Sequence, residues 1–270
     1  MKISVSNIAW QKNRLEEHLD LLKHIGCDGV ELAPSCIWPE PINASLAERQ
    51  ALEKKINRSG LKLVGFHALL YNHPELCLFS DRSSYISTIK YLKSLAHLCS
   101  DLNGRILVFG SPRNRHLFGR DFNKCFNWAC DAFREVATEC ALLGVTFCIE
   151  PLGPNESDFI ISSKEGAKMV KSVSHPNFLL HLDTKALMST GEDIEEVMWC
   201  YGKYLKHFHV SDPELAPPGT TGIDHTQFGV ALRKYNYQGF VSIEMRLGQR
   251  DSREVITESV NLVKRQYLNL

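Results

Sequence analysis

The chain lacks the marks of several common protein classes. Its nine cysteines are odd in number and contain no C-x-x-C pair, which argues against a disulfide framework and a zinc ribbon. Lys plus Arg balances Asp plus Glu at 31 each, so no net field draws the protein to nucleic acid or to an anionic membrane. No stretch approaches the roughly 18 uninterrupted apolar residues of a transmembrane helix, and the opening MKISVSNIAW has no apolar signal core. A cytoplasmic protein without nucleic-acid or membrane partners is expected. The fingerprint G-x-G-x-x-G is missing after the first apolar run, where SNIAWQKNR stands instead, which weakens an open dinucleotide-binding sheet. With no Pro/Gly/Ser-rich linker, low-complexity tract or composition break, residues 1–270 are expected to form one domain.

What is present is a core-forming composition, 44% hydrophobic and 23% charged, arranged as short β-rich runs alternating with longer helical ones. The runs that read as strands are residues 2–6, 29–33, 61–67, 105–110, 145–150, 178–183, 206–211 and 240–245. Helical periods cover 14–25, 45–58, 84–101, 121–142, 163–172, 192–203, 226–236 and 252–267. Glycines such as Gly26 and Gly144 stand where a helix ends just before the next strand. Alternation with short connections implies parallel βαβ units. Eight of them, at this length, point to an α/β fold of the closed (β/α)8 TIM barrel type.

Four apolar runs end in chemistry: Glu150 in VTFCIEPLGP, Asp183 in NFLLHLDTK, His209 in LKHFHVSDP and Glu244 in FVSIEMR. In a parallel barrel the strands' C-terminal ends meet at one face, so residues about thirty apart in sequence converge. Singly, Asp183 can cap a turn and Glu244 can pair with Arg246. Together, three carboxylates and an imidazole are expensive to desolvate unless a cation compensates them. Oxygen-rich ligation with one histidine suits Mn²⁺ or Mg²⁺, with Co²⁺, Fe²⁺ or Zn²⁺ less favoured.

On GCDGVEL, GFHALL, VFGSPRNR, the IEPLG run, HLDT, HFHVSDP followed by PPGTTGIDH, and GFVSIEMR, the chain resembles the xylose-isomerase-like TIM-barrel superfamily. That group of sugar phosphate isomerases and epimerases includes ketose 3-epimerases, hydroxypyruvate isomerase and inosose dehydratase. The resemblance implies that Glu150, Asp183, His209 and Glu244 ligate one divalent metal, and that Glu150 and Glu244 pass a proton to and from carbon through a metal-stabilised cis-enediolate. It implies an isomerase or epimerase acting on a small polyhydroxylated carbonyl compound, and a protein that forms homo-oligomers. A lyase dehydrating a keto-inositol stands second. An abasic-site endonuclease, short of further histidines at Gly110 and Ala186, and a non-catalytic metal-binding scaffold stand behind these.

The substrate-binding set expected around that centre is His67, Glu156, Ser111, Arg115, Lys185 and Glu31. His67 ends the third run, where the family often places a substrate contact; a satisfied core histidine is the alternative. Glu156 matches an acidic position of the ketose 3-epimerases. Those enzymes carry a histidine three residues after the aspartate and an arginine six after the metal histidine, where this chain has Ala186, preceded by Lys185, and Leu215. The loop GSPRNRHLFGR sets Arg113, Arg115 and Arg120 behind Ser111, either as anion-binding forks or as a solvated loop. An anionic substrate group is expected if they bind. Glu31 is read as a substrate contact or a partner of a nearby cation, and His207 as a support for His209. Trp10, Trp38, Phe66 and Phe109 are candidates for an apolar wall.

Overall fold

The computed structural model describes residues 1–269. Eight parallel strands close into a barrel in the order of the sequence: β1 (Lys2–Ser6), β2 (Gly29–Leu32), β3 (Lys62–Phe66), β4 (Ile106–Phe109), β5 (Thr146–Ile149), β6 (Phe178–Asp183), β7 (Leu205–Val210) and β8 (Phe240–Ile243). Register closes the ring, with Ser4 of β1 opposite both Gly29 of β2 and Ser242 of β8. The helices between them are α1 (Leu15–His24), α2 (Leu46–Arg58), α3 (Arg82–Asp101), α4 (Phe122–Leu142), α5 (Ser163–Val173), α6 (Thr184–Thr190), α7 (Ile194–Tyr201), α8 (Thr226–Lys234) and α9 (Ser252–Val263). The expected (β/α)8 architecture is therefore present. One short helix, α6, is additional to the expected set, and the segment expected as helix over 192–203 is confined to α7.

The helices begin where side chains satisfy free N–H groups. Ser45 and Glu48 form a reciprocal capping box on α2, and Asp81, Asp121 and Asp193 cap α3, α4 and α7. Gly26 and Gly144 take φ of +74° and +65° where α1 and α4 give way to the next strands, a conformation costly for residues with a Cβ.

Alternation along each strand sorts residues between two environments. Outward side chains pack on the helices; there Phe109, Phe147, Phe178 and Phe133 of α4 form a buried ring cluster with centroid separations of 5.1 to 5.9 Å. The inward side includes a small apolar plug of Val64, Ile106, Val108 and Cys148. Leu179 and Phe240 pack against it, and other inward positions are polar, among them Ser4, Glu31, His181, His207, His209 and Ser242, none of these six more than 1% exposed. All nine cysteines are free thiols. Among the described residues no helix is long and apolar enough to cross a membrane.

Candidate active site

The polar interior opens at the C-terminal ends of the strands into a cavity of about 710 Å³, whose wall includes His67, Ser111, Glu150, Glu156, Lys185 and Glu244. Glu150, Asp183, His209 and Glu244 each bring a ligand atom to one cluster in which all four lie within 4.8 Å of one another. Convergence at the strand ends is thus the observed arrangement of these four side chains.

Each is held by a neighbour. Asp183 caps α6: its Oδ1 accepts from the Lys185 backbone N–H at 2.8 Å and from the Ser211 hydroxyl. His209 Nε2 is 3.0 Å from Glu31 Oε2, and His207 Nε2 reaches the same carboxylate at 3.2 Å. Glu244 Oε1 meets His67 Nδ1 at 2.9 Å, and the other nitrogen of His67 lies 2.5 Å from Ser6 Oγ. Glu244 is thus in ion-pair contact with His67, whose Nε2 shares with the Ser6 hydroxyl a hydrogen bond whose direction follows the imidazole tautomer. Glu150 depends on space, because a Cβ at Gly110 would fall 2.2 Å from Glu150 Oε2.

Charge is distributed unevenly across the cluster. Burial, with Glu244 and Asp183 close by, pushes the Glu150 carboxyl up to about 8. Burial also raises Asp183, with Lys185 opposing. For Glu244 burial acts upward, but His209 and His67 outweigh it and hold the carboxyl well below its ordinary range. Glu31 is likewise held low against burial by His209 and His207. Burial lowers His181, and its two neighbouring histidines push the same way. Two carboxyls pushed up beside one pushed down is the pattern of negative groups crowded together out of water.

The donor set fits a divalent cation. Asp183 Oδ2 and His209 Nδ1 are buried without a hydrogen-bond partner among the described residues; the latter lies 3.2 Å from Glu244 Oε2 without hydrogen-bond alignment. Buried polar atoms need a partner. A cation among them would favour the ionised form of Glu150 and Asp183 and replace a proton on His209. Glu31 behind His209 forms the carboxylate–histidine support common at metal sites.

Of the other expected site residues, His67, Ser111, Glu156 and Lys185 are at the cavity. Lys185 Nζ pairs with Glu156 at 3.1 Å and lies 4.0 Å from Asp183 Oδ2. Ser111, at φ +42°, has a buried Oγ with no partner among the described residues. Two expectations of substrate contact are corrected. Arg115 is fully buried and spends its guanidinium on the carbonyls of Glu150 (2.8 Å) and Ile160 (3.2 Å) and on Ser157 Oγ (3.4 Å); it braces the Glu150 backbone. Glu31 is fully buried beneath the cluster, paired with His207 and His209. Arg120 is also committed, donating to the Phe79 and Ser80 carbonyls. None of Trp10, Trp38, Phe66 and Phe109 is on the cavity wall, whose apolar part includes Leu70, Tyr71, Leu152 and Leu215. The contact between Glu244 and Arg246 held open above is not made, since histidines take that carboxylate.

Three features had escaped the sequence reading. His181 stacks edge-on against His209 at 4.2 Å between centroids and has neither ring nitrogen bonded among the described residues; its place two residues before Asp183 on one strand face was the available signal. Ser6 behind His67 had no signal of its own. Asp212, His225 and Tyr267 form a buried chain, with bonds of 2.7 and 3.0 Å, that fixes the loop after β7.

A family model described as xylose isomerase-like TIM barrel matches residues 19–266. A D-psicose 3-epimerase of Ruminiclostridium cellulolyticum is 31% identical over 135 residues, 48% of this chain and 46% of that protein. The stretches matched in the first three curated relatives span 46%, 35% and 40% of their lengths. A probable ketose 3-epimerase of Synechocystis sp. is 23% identical over 256 residues, 90% of this chain and 84% of that protein. Among solved structures, D-psicose 3-epimerase with D-tagatose from Clostridium cellulolyticum H10 superposes with a TM-score of 0.84 at 20% identity, covering 99% of both chains. At that identity the superposition is a likeness of fold.

Proposed function

The chain belongs to the xylose isomerase-like TIM barrel family, and on that premise we propose that it is a divalent-metal-dependent isomerase or epimerase of a small polyhydroxylated carbonyl compound. The observation that carries this reading is the four-ligand cluster at the base of the cavity, with two glutamates entering from different strands. Relatives named as sugar 3-epimerases support the substrate class.

Glu150, Asp183, His209 and Glu244 would hold the ion, and their oxygen-rich set favours Mn²⁺ or Mg²⁺. When bound, such a cation supplies Lewis-acid polarisation of a substrate carbonyl. Glu244, oriented by His67, and Glu150, given room by Gly110 and backed by Arg115, are the general acid–base pair. β5 and β8 are three strands apart round the ring, so the carboxylates reach a substrate from different directions. A proton taken from a carbon beside the carbonyl by one and returned to the same carbon by the other inverts that centre. Return to the neighbouring carbon moves the carbonyl instead. Lys185, Glu156 and the Ser111 hydroxyl, which has no partner among the described residues, would bind substrate oxygens, and the apolar wall would limit water beside the reacting carbon.

The test is incubation of the Mn²⁺-loaded protein with ketoses, keto-acids, keto-inositols and their phosphates in heavy water, with Glu244→Gln as control. Deuterium entering carbon in a metal- and Glu244-dependent manner is the expected outcome. Absence of exchange over the whole panel would overturn the reading, and a product lighter by one water would replace it with a dehydratase.

A further inference from the structure

The cavity wall carries three cations, and only one has a partner. Lys185 is paired with Glu156, whereas Arg113, after β4, and Arg246, after β8, are exposed and their guanidinium groups have no hydrogen-bond or ion-pair partner among the described residues. The acidic residues on the wall are otherwise occupied: Glu150 and Glu244 belong to the four-ligand cluster, and Glu156 faces Lys185. Nothing on the protein's side of the cavity therefore compensates the two arginines.

Their backbones, by contrast, are fixed. The Arg246 N–H donates to Leu215 O at 2.9 Å. Arg113 lies in a single turn, Pro112–Asn114, between the left-handed Ser111 and Asn114, whose side chain is tied to the His73 and Leu76 carbonyls at 2.7 and 2.8 Å. Contrast within the same loop is informative, because Arg115 and Arg120 are consumed by carbonyls. A free guanidinium on an anchored backbone is a fork ready for a planar or tetrahedral oxyanion, and two on one cavity give directional recognition.

We propose that Arg113 and Arg246 bind an anionic group, phosphate or carboxylate, on the substrate, while its carbonyl end is held at the four-ligand cluster. The substrate class is then an acidic sugar derivative rather than a free ketose. This inference rests on the assignment of the cavity as the substrate site and names the substrate class within it.

The test uses fructose, fructose 6-phosphate and fructuronate, which share a 2-keto-polyol head and differ in ending as alcohol, phosphate or carboxylate. Each is titrated into the Mn²⁺-loaded protein by calorimetry and followed separately for deuterium exchange. At least one anionic compound is expected to bind tenfold or more tightly than fructose, and the identity of that compound distinguishes phosphate from carboxylate. In the double variant Arg113→Gln/Arg246→Gln the anionic-to-neutral ratio is expected to fall to near one, and Arg113→Lys/Arg246→Lys to retain part of it. Circular dichroism checks that both variants fold. No anionic preference in the unaltered protein, or a preference that survives the glutamine variant, would overturn the proposal. Binding preference without exchange of any compound would leave it standing and count against the isomerase reading; exchange without preference would do the reverse.

Discussion

Strands β5 to β8 lead into Glu150, Asp183, His209 and Glu244, whereas β1 to β4 lead into or carry near their ends Ser6, Glu31, His67 and Gly110. The second half of the barrel supplies the groups of the four-ligand cluster. The first half supplies what fixes three of them: Ser6 sets His67, which sets Glu244; Glu31 sets His209; Gly110 leaves the space that Glu150 fills, while Asp183 is held within the second half by the Lys185 N–H and Ser211. A closed ring makes this division workable, since it brings strands distant in sequence to face one another across the interior. It also means that a first-half support and the second-half group it serves have no neighbourhood in sequence.

The sharpest way to test this division is to remove a reactive group from the second half. Glu244→Gln, or Glu150→Gln, is expected to lower deuterium exchange by about 10³-fold, within the range usual for loss of a positioned acid or base. A drop below tenfold would move the chemistry elsewhere in the cavity. The next effect belongs to Gly110→Ala, whose new methyl collides with Glu150 Oε2. Displacement of one carboxylate by about an ångström is worth roughly 10²-fold in rate, read in the same assay with circular dichroism to show the fold retained. Glu31→Gln touches no substrate, yet Mn²⁺ affinity measured by calorimetry is expected to weaken about 10- to 100-fold. Unchanged affinity would show that the first half does not position the second.

The smallest effect is expected away from the cluster, in the loop after β7. The Asp212 carboxyl is raised by burial, but bonds from His225 and Thr221 outweigh this and leave it below its ordinary value. A depressed carboxyl contributes stability above its unfolded value of about 4, and that contribution is lost as pH falls through the folded one. Asp212→Asn should therefore cost about 2 kcal/mol near pH 6, seen as a lower thermal midpoint. The gap to the unaltered protein should begin to narrow below about pH 4 and close only when pH has fallen through the depressed folded value, where both side chains are neutral.

Much of the frame was legible because burial imposes period and length on it: β1 and β6 fall on the expected residues 2–6 and 178–183. Ends were less legible. Glu150 reads as the last residue of its strand and Glu244 as the last but one, but the ladders stop at Ile149 and Ile243, so both carboxylates stand just beyond the sheet, at the base of the cavity. Helix α6 was missed because Asp183 serves a second purpose as its cap, and seven residues carry too little periodicity to declare themselves. The four clustered residues could be read from strand-end position alone. Glu31 could be named but not placed, since its choice between substrate and histidine depends on a contact across the ring. Arg115 failed for the opposite reason: charged and in a loop, it looked solvent-facing, but three protein oxygens within 3.4 Å make its burial affordable.

The link from Glu31 to His209 spans 178 residues. A contact of that separation has to be won against the entropy of closing about two thirds of the chain into a loop. While the chain is being synthesised, β5, β6 and β7 can emerge with Glu150, Asp183 and His209 in place, but the histidine is held only when β2 has come round to meet it. Capture of a metal ion by this cluster would therefore report the late event of ring closure, and would make the ion a latch on the completed barrel.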